Sequence, residues 1–115
     1  HLTDIDFNVA FSVATTLLSS DDKPDAIFCA SDVYACAALK AAHTLHLSIP
    51  EDVAVMGFDN VNLTTMTVPT ISTVSQPTYQ LGYQSCNLLV DQIEGNPVPN
   101  QKIVLATEIV GRSST

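Results

Sequence analysis

Two apolar segments of strand length, separated by a stretch with helical periodicity, constrain the fold of this chain more than any other feature. Segments 25–30 and 53–58 are mostly apolar, as expected of strands buried on both faces of a parallel sheet. Between them, Ala35, Leu39 and Ala42 recur at intervals of three and four, which predicts a helix. Two successive strand–helix units of this kind predict an α/β fold built on a parallel sheet.

Periodicity and turn residues place further elements along the chain. Apolar positions from Phe7 to Ser20 predict an amphipathic helix with Asp6 as its N-cap. The central helix begins at Ser31 or Asp32 and runs to about His46. Another helix follows Pro77 and ends near 95–97. We expect short strands at 71–74, 102–105 and 107–110. The segment 59–69 is predicted to be a loop that contains one helical turn.

Length and charge narrow the class of protein. A chain of 115 residues that is 46% hydrophobic can fold as one globular unit, and its apolar runs fall well short of the ~20 residues of a membrane-spanning helix. No basic and then apolar leader opens the sequence. Because a helical pattern begins almost at His1, we expect that further sequence precedes it. Twelve acidic residues against four basic ones give a net charge of −8, which argues against nucleic-acid binding by these residues.

Patterns for metal sites, cofactors and catalysis were not found in the sequence. The three cysteines lack paired spacing, which favours free thiols in a cytosolic protein and no metal site. The histidines have no nucleophile or ligand partner at a motif spacing, and no phosphate-binding loop or hydrolase motif is present. The residues concerned are Cys29, Cys36, Cys86, His1, His43 and His46.

Two acidic residues follow the predicted strands, where open parallel sheets bind ligands. Asp32 follows the first of these strands and Asp59 follows the second. A carboxylate there can accept hydrogen bonds from sugar hydroxyls or from the N–H groups of a purine. Local pattern alone favours a helix-capping role for Asp32. Asp59 precedes Asn60 in a predicted turn, and here the local pattern leaves a structural role and a binding role equally open.

Several separated motifs resemble the C-terminal part of effector domains in the lac-repressor/galactose-repressor family. Residues 49–60 (IPEDVAVMGFDN) are similar to the family's V-P-E-D-V-x-V-x-G-F-D-[DN] signature. Residues 24–39 resemble its strand and N-D-x-x-A-x-G-A-L helix start. The segments 68–77 and 112–115 resemble its P-x-L-T-T-V-x-Q-P linker and terminal R-x-S-T.

The resemblance implies an α/β fold of the type I periplasmic-binding-protein kind, present in part, with an effector cleft between two lobes. Residues 1–73 and 107–115 would belong to the C-terminal lobe, and 74–106 to the N-terminal lobe. The implied protein is a cytoplasmic homodimer that needs no cofactor and no membrane. It would sense a small effector, either a carbohydrate or a nucleoside or purine, and contact operator DNA only through a helix-turn-helix upstream of His1.

The resemblance also assigns roles to individual residues. Asp59 matches the family's effector-binding aspartate, while Asp32 remains mainly a helix cap. Ser31 replaces a frequent ligand-binding asparagine, and His46 replaces the usual glycine at a helix end. The remaining ligand-binding candidates are Asp32, Gln76, Ile5 and Phe7, and the candidate dimer-interface residues are Cys36, Leu39, Leu63 and Thr67.

Two other functions share some of these features. A secreted sugar-binding protein of a transport system has the same fold but would begin with a signal peptide. A small α/β enzyme could use Asp59 or Asp32 as a general base, but it would need a nucleophile or metal cluster nearby. We therefore favour effector sensing and dimerisation in a bacterial transcription regulator, and not an enzyme.

Overall fold

The computed structural model describes residues 6–98 and 102–115. The chain divides into two compact units, one formed by the residues up to Ser75 together with Ile109–Thr115, and the other by Gln76–Glu108. Among the described residues, no helix is long and apolar enough to cross a membrane.

The first unit is built on a parallel arrangement of strands. Its elements are helix α1 (Phe7–Leu18), strand β1 (Ala26–Phe28), helix α2 (Asp32–Thr44), strand β2 (Ala54–Asp59), a 3-10 turn (Asn62–Thr65) and strand β3 (Ser72–Ser75). β1 pairs parallel with β2, and β2 with β3. With β4 (Glu108–Val110), the four-stranded sheet has the order β1-β2-β3-β4. The predicted α/β class is therefore confirmed.

The core of this unit lies between α2 and the strands. Val53, Val55 and Ile71 are fully buried in one cluster with four of the alanines of α2. Small side chains allow a helix backbone to approach a sheet closely, and each fully buried valine or isoleucine contributes about 1.5–3 kcal/mol. The apolar run that predicted β2 thus supplies the centre of the core.

Capping side chains define the helix ends. The Asp6 carboxylate accepts hydrogen bonds from the amides of Asn8 (2.8 Å) and Val9 (3.2 Å), which confirms it as the N-cap of α1. Ser31 caps α2, where its Oγ accepts from the Tyr34 amide at 3.4 Å. His46, two residues after the end of α2, is left-handed (φ 57°), and the Leu47 amide donates to the Ala42 carbonyl at 2.9 Å.

The C-terminal tail is hydrogen-bonded to two strands. Ser114 is fully buried, and its carbonyl accepts from the Val55 amide at 2.8 Å. The Ser114 hydroxyl donates to the Val55 carbonyl at 2.5 Å and accepts from the Ser72 amide at 2.8 Å. These bonds give the terminal segment that resembles R-x-S-T a structural role in β2 and β3.

The second unit contains helix α3 (Thr78–Glu94), which follows Pro77 as predicted and ends at Gly95 in the left-handed region (φ 74°). The strand predicted at 102–105 is wrong, because this segment has no strand structure. A strand needs a neighbouring strand to satisfy its backbone groups. Instead, four apolar side chains line a shallow groove in this unit, namely Leu81, Leu88, Ile103 and Leu105.

Candidate functional site

Asp59 is the last residue of β2, at the carboxyl end of this strand. With Asn60 it starts the link from β2 to the 3-10 turn, and these two residues are called the Asp59 turn. Its φ is 105° and that of Asn60 is 55°, so two successive non-glycine residues have positive φ. Such conformations are uncommon, although aspartate and asparagine adopt them more readily than other residues. Asp59 is half-buried and therefore partly open to solvent. The turn lies where parallel sheets bind ligands.

Asn60 connects this turn to β3 and to the C-terminal tail. Its amide donates to the Thr73 hydroxyl at 3.3 Å, and its side-chain Nδ2 donates to the Ser75 hydroxyl at 3.2 Å. The Arg112 guanidinium donates to Asn60 Oδ1 at 2.8 Å and to the Ile71 carbonyl at 2.7 Å. One planar guanidinium thus joins the turn to the segment that leads into β3.

Asp32 lies at the start of α2 but does not cap that helix, so the capping role predicted for it is wrong. Its side chain is 1% exposed. One carboxylate oxygen accepts from the Val61 amide at 2.8 Å, and the other accepts from the Thr73 hydroxyl at 2.6 Å. Ser31 supplies the cap, which leaves the Asp32 carboxylate available for these tertiary bonds.

Other residues predicted to bind a ligand lie in different settings. Ser31 is buried, with its hydroxyl engaged in capping α2. The half-buried Phe7 ring lies beneath the Lys40 ammonium, 5.4 Å from its centroid, and the same ammonium lies 5.1 Å from the Phe11 ring. Gln76 begins the second unit, where its carbonyl accepts from the Thr78 amide at 2.8 Å. Ile5 lies outside the described residues.

The residues predicted for a dimer interface differ in exposure. Leu63 is 38% exposed, and Thr67 and Cys36 are half-buried. Leu39 belongs to the hydrophobic core at 7% exposure, because its face of α2 packs inward, so its placement at an interface is corrected. The loop that carries Leu63 and Thr67 also exposes three further apolar side chains, Val61, Met66 and Val68.

Cys29 and Cys36, which lie on either side of Asp32 in the sequence, both have thiols with raised pKa values. Burial, together with the nearby Asp32 and Cys36 side chains, raises the pKa of the Cys29 thiol to about 11. Burial and then Asp32 also raise the pKa of Cys36. All three cysteines are free, and the described residues contain no group of three or more potential metal ligands.

Sequence reasoning missed three residues that shape the site: Asn60, Thr73 and Arg112. Asn60 and Arg112 lie inside the family-like motifs, so their positions were noted but their contacts were not. Thr73 also lies in such a segment (68–77) and on a predicted alternating strand, but neither pattern indicated its contacts. Its hydroxyl bridges Asp32 and the Asn60 amide, a role that depends on residues distant in sequence.

Comparison with known proteins is consistent with this geometry. Residues 4–115 match the family described as periplasmic binding protein-like domain. The ribose operon repressor of Halalkalibacterium halodurans is 41% identical over 112 residues, covering 96% of this chain and 34% of the repressor. The transcriptional repressor CytR of Escherichia coli is 37% identical over 112 residues, covering 97% of this chain and 33% of CytR.

Solved structures agree with these sequence relatives. The transcriptional regulator CelR in complex with cellobiose has a TM-score of 0.90 and 33% identity, covering 97% of this chain and 34% of CelR. A LacI family regulator from Arthrobacter in complex with lactose has a TM-score of 0.83 and 28% identity, covering 95% of this chain and 41% of that protein. The chain spans about a third of the length of the curated relatives it matches. It belongs to the periplasmic binding protein-like domain family, and the solved structures that it resembles include LacI-family transcription regulators.

Proposed function

We propose that this chain is the effector-sensing and dimerising part of a cytoplasmic bacterial transcription repressor. The observation that carries the proposal is the half-buried Asp59, held at the carboxyl end of β2 on a turn of unusual backbone conformation. A backbone in sparsely populated regions persists only where its surroundings hold it there, and such positions cluster at ligand sites. The sequence relatives named as repressors support this function over transport and over catalysis.

The chemistry of Asp59 favours a neutral ligand that is rich in hydrogen-bond donors. An ionised carboxylate only accepts hydrogen bonds, so it suits paired sugar hydroxyls or the N–H groups of a nucleoside or purine. A net charge of −8 disfavours phosphorylated ligands. The solved relatives with cellobiose and lactose support the carbohydrate class in particular.

We assign the two units to the two lobes of an effector domain. The unit containing Asp59 belongs to the C-terminal lobe, and Gln76–Glu108 contributes to the N-terminal lobe. Ser31, Gln76 and the N-terminal segment containing Ile5 and Phe7 remain proposed ligand contacts. Operator DNA would be bound by a helix-turn-helix elsewhere in the full-length protein. An effector would act by binding one arrangement of the lobes more tightly than another, which shifts their populations.

The proposed homodimer uses the loop after the Asp59 turn. Val61, Leu63, Met66 and Val68 expose apolar surface there, and Thr67 and Cys36 complete the candidate interface. Met66 is 74% exposed and Val68 is 97% exposed. Several exposed apolar side chains on one short loop are typical of sites where another protein packs.

The full-length gene product tests this function directly. We would measure thermal stability and calorimetric binding with D-ribose, cellobiose, lactose, cytidine and hypoxanthine. We expect at least one compound to bind, and Asp59→Asn to weaken that binding about 10- to 100-fold, since hydrogen bonds to a charged group contribute about 1.5–3 kcal/mol.

The matched control is Glu51→Gln, which removes one exposed negative charge just before β2, at the opposite end of this strand from Asp59. This variant should bind the same compound as tightly as the unaltered protein. Equal losses in both variants would show that net charge, and not the Asp59 site, governs binding. Failure of the whole panel to bind would contradict sensing of these ligand classes.

A further inference from the structure

The Asp32 carboxylate is buried and joins segments that are distant in the sequence. It accepts from the Val61 amide, 29 residues away, and from the Thr73 hydroxyl, 41 residues away. Both oxygens therefore have a hydrogen-bond donor within the protein. Removing a buried charged acceptor leaves its donors unsatisfied, which costs more than the bonds themselves contribute.

These two donors flank the Asp59 turn. Val61 follows directly after Asp59 and Asn60, and Thr73 lies on β3, where it is the register partner of Gly57. The Thr73 hydroxyl donates to Asp32 at 2.6 Å and accepts from the Asn60 amide at 3.3 Å. The carboxylate thus reaches the turn directly through Val61 and also through Thr73.

The backbone of the turn needs this support. Asp59 and Asn60 both have positive φ, and a non-glycine residue stays in such a region only where its surroundings hold it there. Ser75 and Arg112 hold the Asn60 side chain, but they do not contact the Val61 amide. The hydrogen bond from the Val61 amide to Asp32 fixes the residue that leaves the turn and so limits how the turn can rotate.

We propose that Asp32 is a positioning residue for Asp59: through Val61 and Thr73 it fixes the turn that presents the Asp59 carboxylate to a neutral, donor-rich ligand, without touching that ligand. The inference rests on the proposed function. Its 1% exposure leaves Asp32 almost no surface to offer a ligand, whereas Asp59 is partly open. Asp32 therefore acts on affinity by orienting another side chain.

The test uses two pairs of variants in the full-length gene product. Thr73→Val keeps the side-chain shape but removes the hydroxyl. Its control, Thr73→Ser, keeps the hydroxyl and removes the methyl group. Asp32→Asn removes the charge and one acceptor, and Val53→Ala is its control. Val53 is fully buried and directly precedes β2, at the opposite end of that strand from Asp59, so its truncation weakens the core without reaching the turn.

Two readouts separate positioning from general stability. The first is the affinity for whichever of D-ribose, cellobiose, lactose, cytidine and hypoxanthine binds the unaltered protein. The second is hydrogen exchange at the Val61 amide, which reports local opening of the turn without any ligand. We expect Asp32→Asn and Thr73→Val each to lower affinity at least tenfold. Asp32→Asn should also speed Val61 exchange at least tenfold, while Thr73→Ser and Val53→Ala stay within threefold in both readouts.

Several results would overturn the proposal. Affinity lost in Asp32→Asn with normal Val61 exchange would mean that Asp32 contacts the ligand itself. Faster exchange with unchanged affinity would mean that the turn does not orient the site, and an equal loss of affinity in Val53→Ala would point to global stability. If Asp32→Asn does not fold, the Thr73 pair decides the question. If no compound binds, the proposed function fails. The exchange measurement still tests Asp32 in that case: normal Val61 exchange in Asp32→Asn would show that Asp32 does not fix the turn.

Discussion

Gly57 lies so close to the Asp32 carboxylate that a β-carbon at position 57 would overlap Oδ1. Gly57 is the register partner of Thr73, which donates to the same oxygen. The G-F-D segment therefore needs glycine for a steric reason: it leaves room for the buried carboxylate that holds the following turn. This contact links a motif residue on β2 to the start of α2.

Replacing Gly57 by alanine should be destabilising. The added methyl group meets the Asp32 side chain and the Ala35 side chain on α2, so something must shift. Overpacking of this kind costs about 1–3 kcal/mol, measured as the free energy of urea unfolding. Gly82 on α3 is the control, because a β-carbon there meets no atom within 4 Å. Gly82→Ala should leave stability unchanged or raise it by up to about 1 kcal/mol. Equal behaviour of the two variants would contradict the close contact.

Replacing His46 by glycine should stabilise the protein. His46 follows the end of α2 with φ 57°, where the Leu47 amide donates back to Ala42. A left-handed residue with a β-carbon costs about 1–2 kcal/mol, and glycine avoids that cost but loses part of the gain to the entropy of the unfolded chain. We expect a net gain of about 0.5–1 kcal/mol in the free energy of unfolding. His46→Ala keeps the β-carbon and should give no gain, so an equal gain from alanine would count against the left-handed geometry.

The Cys29 thiol should resist alkylation in the native protein. With a folded pKa of about 11, about one Cys29 thiol in a thousand is ionised at pH 8, whereas Cys86 is exposed. Iodoacetamide should therefore modify Cys86 first, as mass spectrometry of the native protein would reveal. Early modification of Cys29 would contradict its buried, protonated state.

The raised pKa of Cys29 should also lower the free energy of unfolding at alkaline pH. The unfolded chain ionises this thiol near its ordinary pKa of about 8.5, so the unfolded state holds fewer protons above that pH. The stability that Cys29 contributes is fully present below pH ~8.5 and is lost as pH rises towards ~11. Urea unfolding at a series of pH values should show a shallower alkaline decline in Cys29→Ala than in Cys86→Ala. Identical declines would show that the Cys29 pKa is not raised by folding.

Replacing Met66 by lysine should weaken the proposed homodimer. Met66 is 74% exposed among other apolar side chains of its loop, and a charge buried at an interface without a partner is costly. Sedimentation of the full-length gene product should show at least a tenfold weaker dimer. Thr65→Lys places the same charge on an exposed polar position of the neighbouring 3-10 turn and should have a smaller effect. Unchanged association in both variants would place the interface elsewhere.

Local patterns were sufficient to predict most of the fold. The apolar run at 53–58 predicted β2, of which one face is buried and the other is half-buried. Asp6 predicted the start of α1 because capping depends on adjacent residues. The strand predicted at 102–105 was wrong because strand formation depends on a partner strand, which the local sequence pattern does not reveal. Leu39 was placed at an interface, but it faces the core, since an alanine-rich helix leaves its buried face poorly marked.

Of the site, sequence patterns predicted the role of only Asp59, the last residue of β2. Asp59 could be found from its place after a buried strand and from the surrounding motif. The role of Asp32 could not, because helix capping is local, whereas its partners Val61 and Thr73 lie 29 and 41 residues away. Arg112 likewise reaches Asn60 across 52 residues. Contacts over such separations exist only once the sheet has formed.

A crystal structure of the full-length gene product with the compound that binds most tightly from the sugar and nucleoside panel tests the central claim most directly. We predict that a hydroxyl or N–H group of this compound lies about 2.7–3.2 Å from an Asp59 carboxylate oxygen, as a hydrogen bond requires. The Val61 amide and Thr73 hydroxyl should still donate to Asp32 in that complex. A compound bound with no donor within hydrogen-bonding distance of Asp59 would contradict the account.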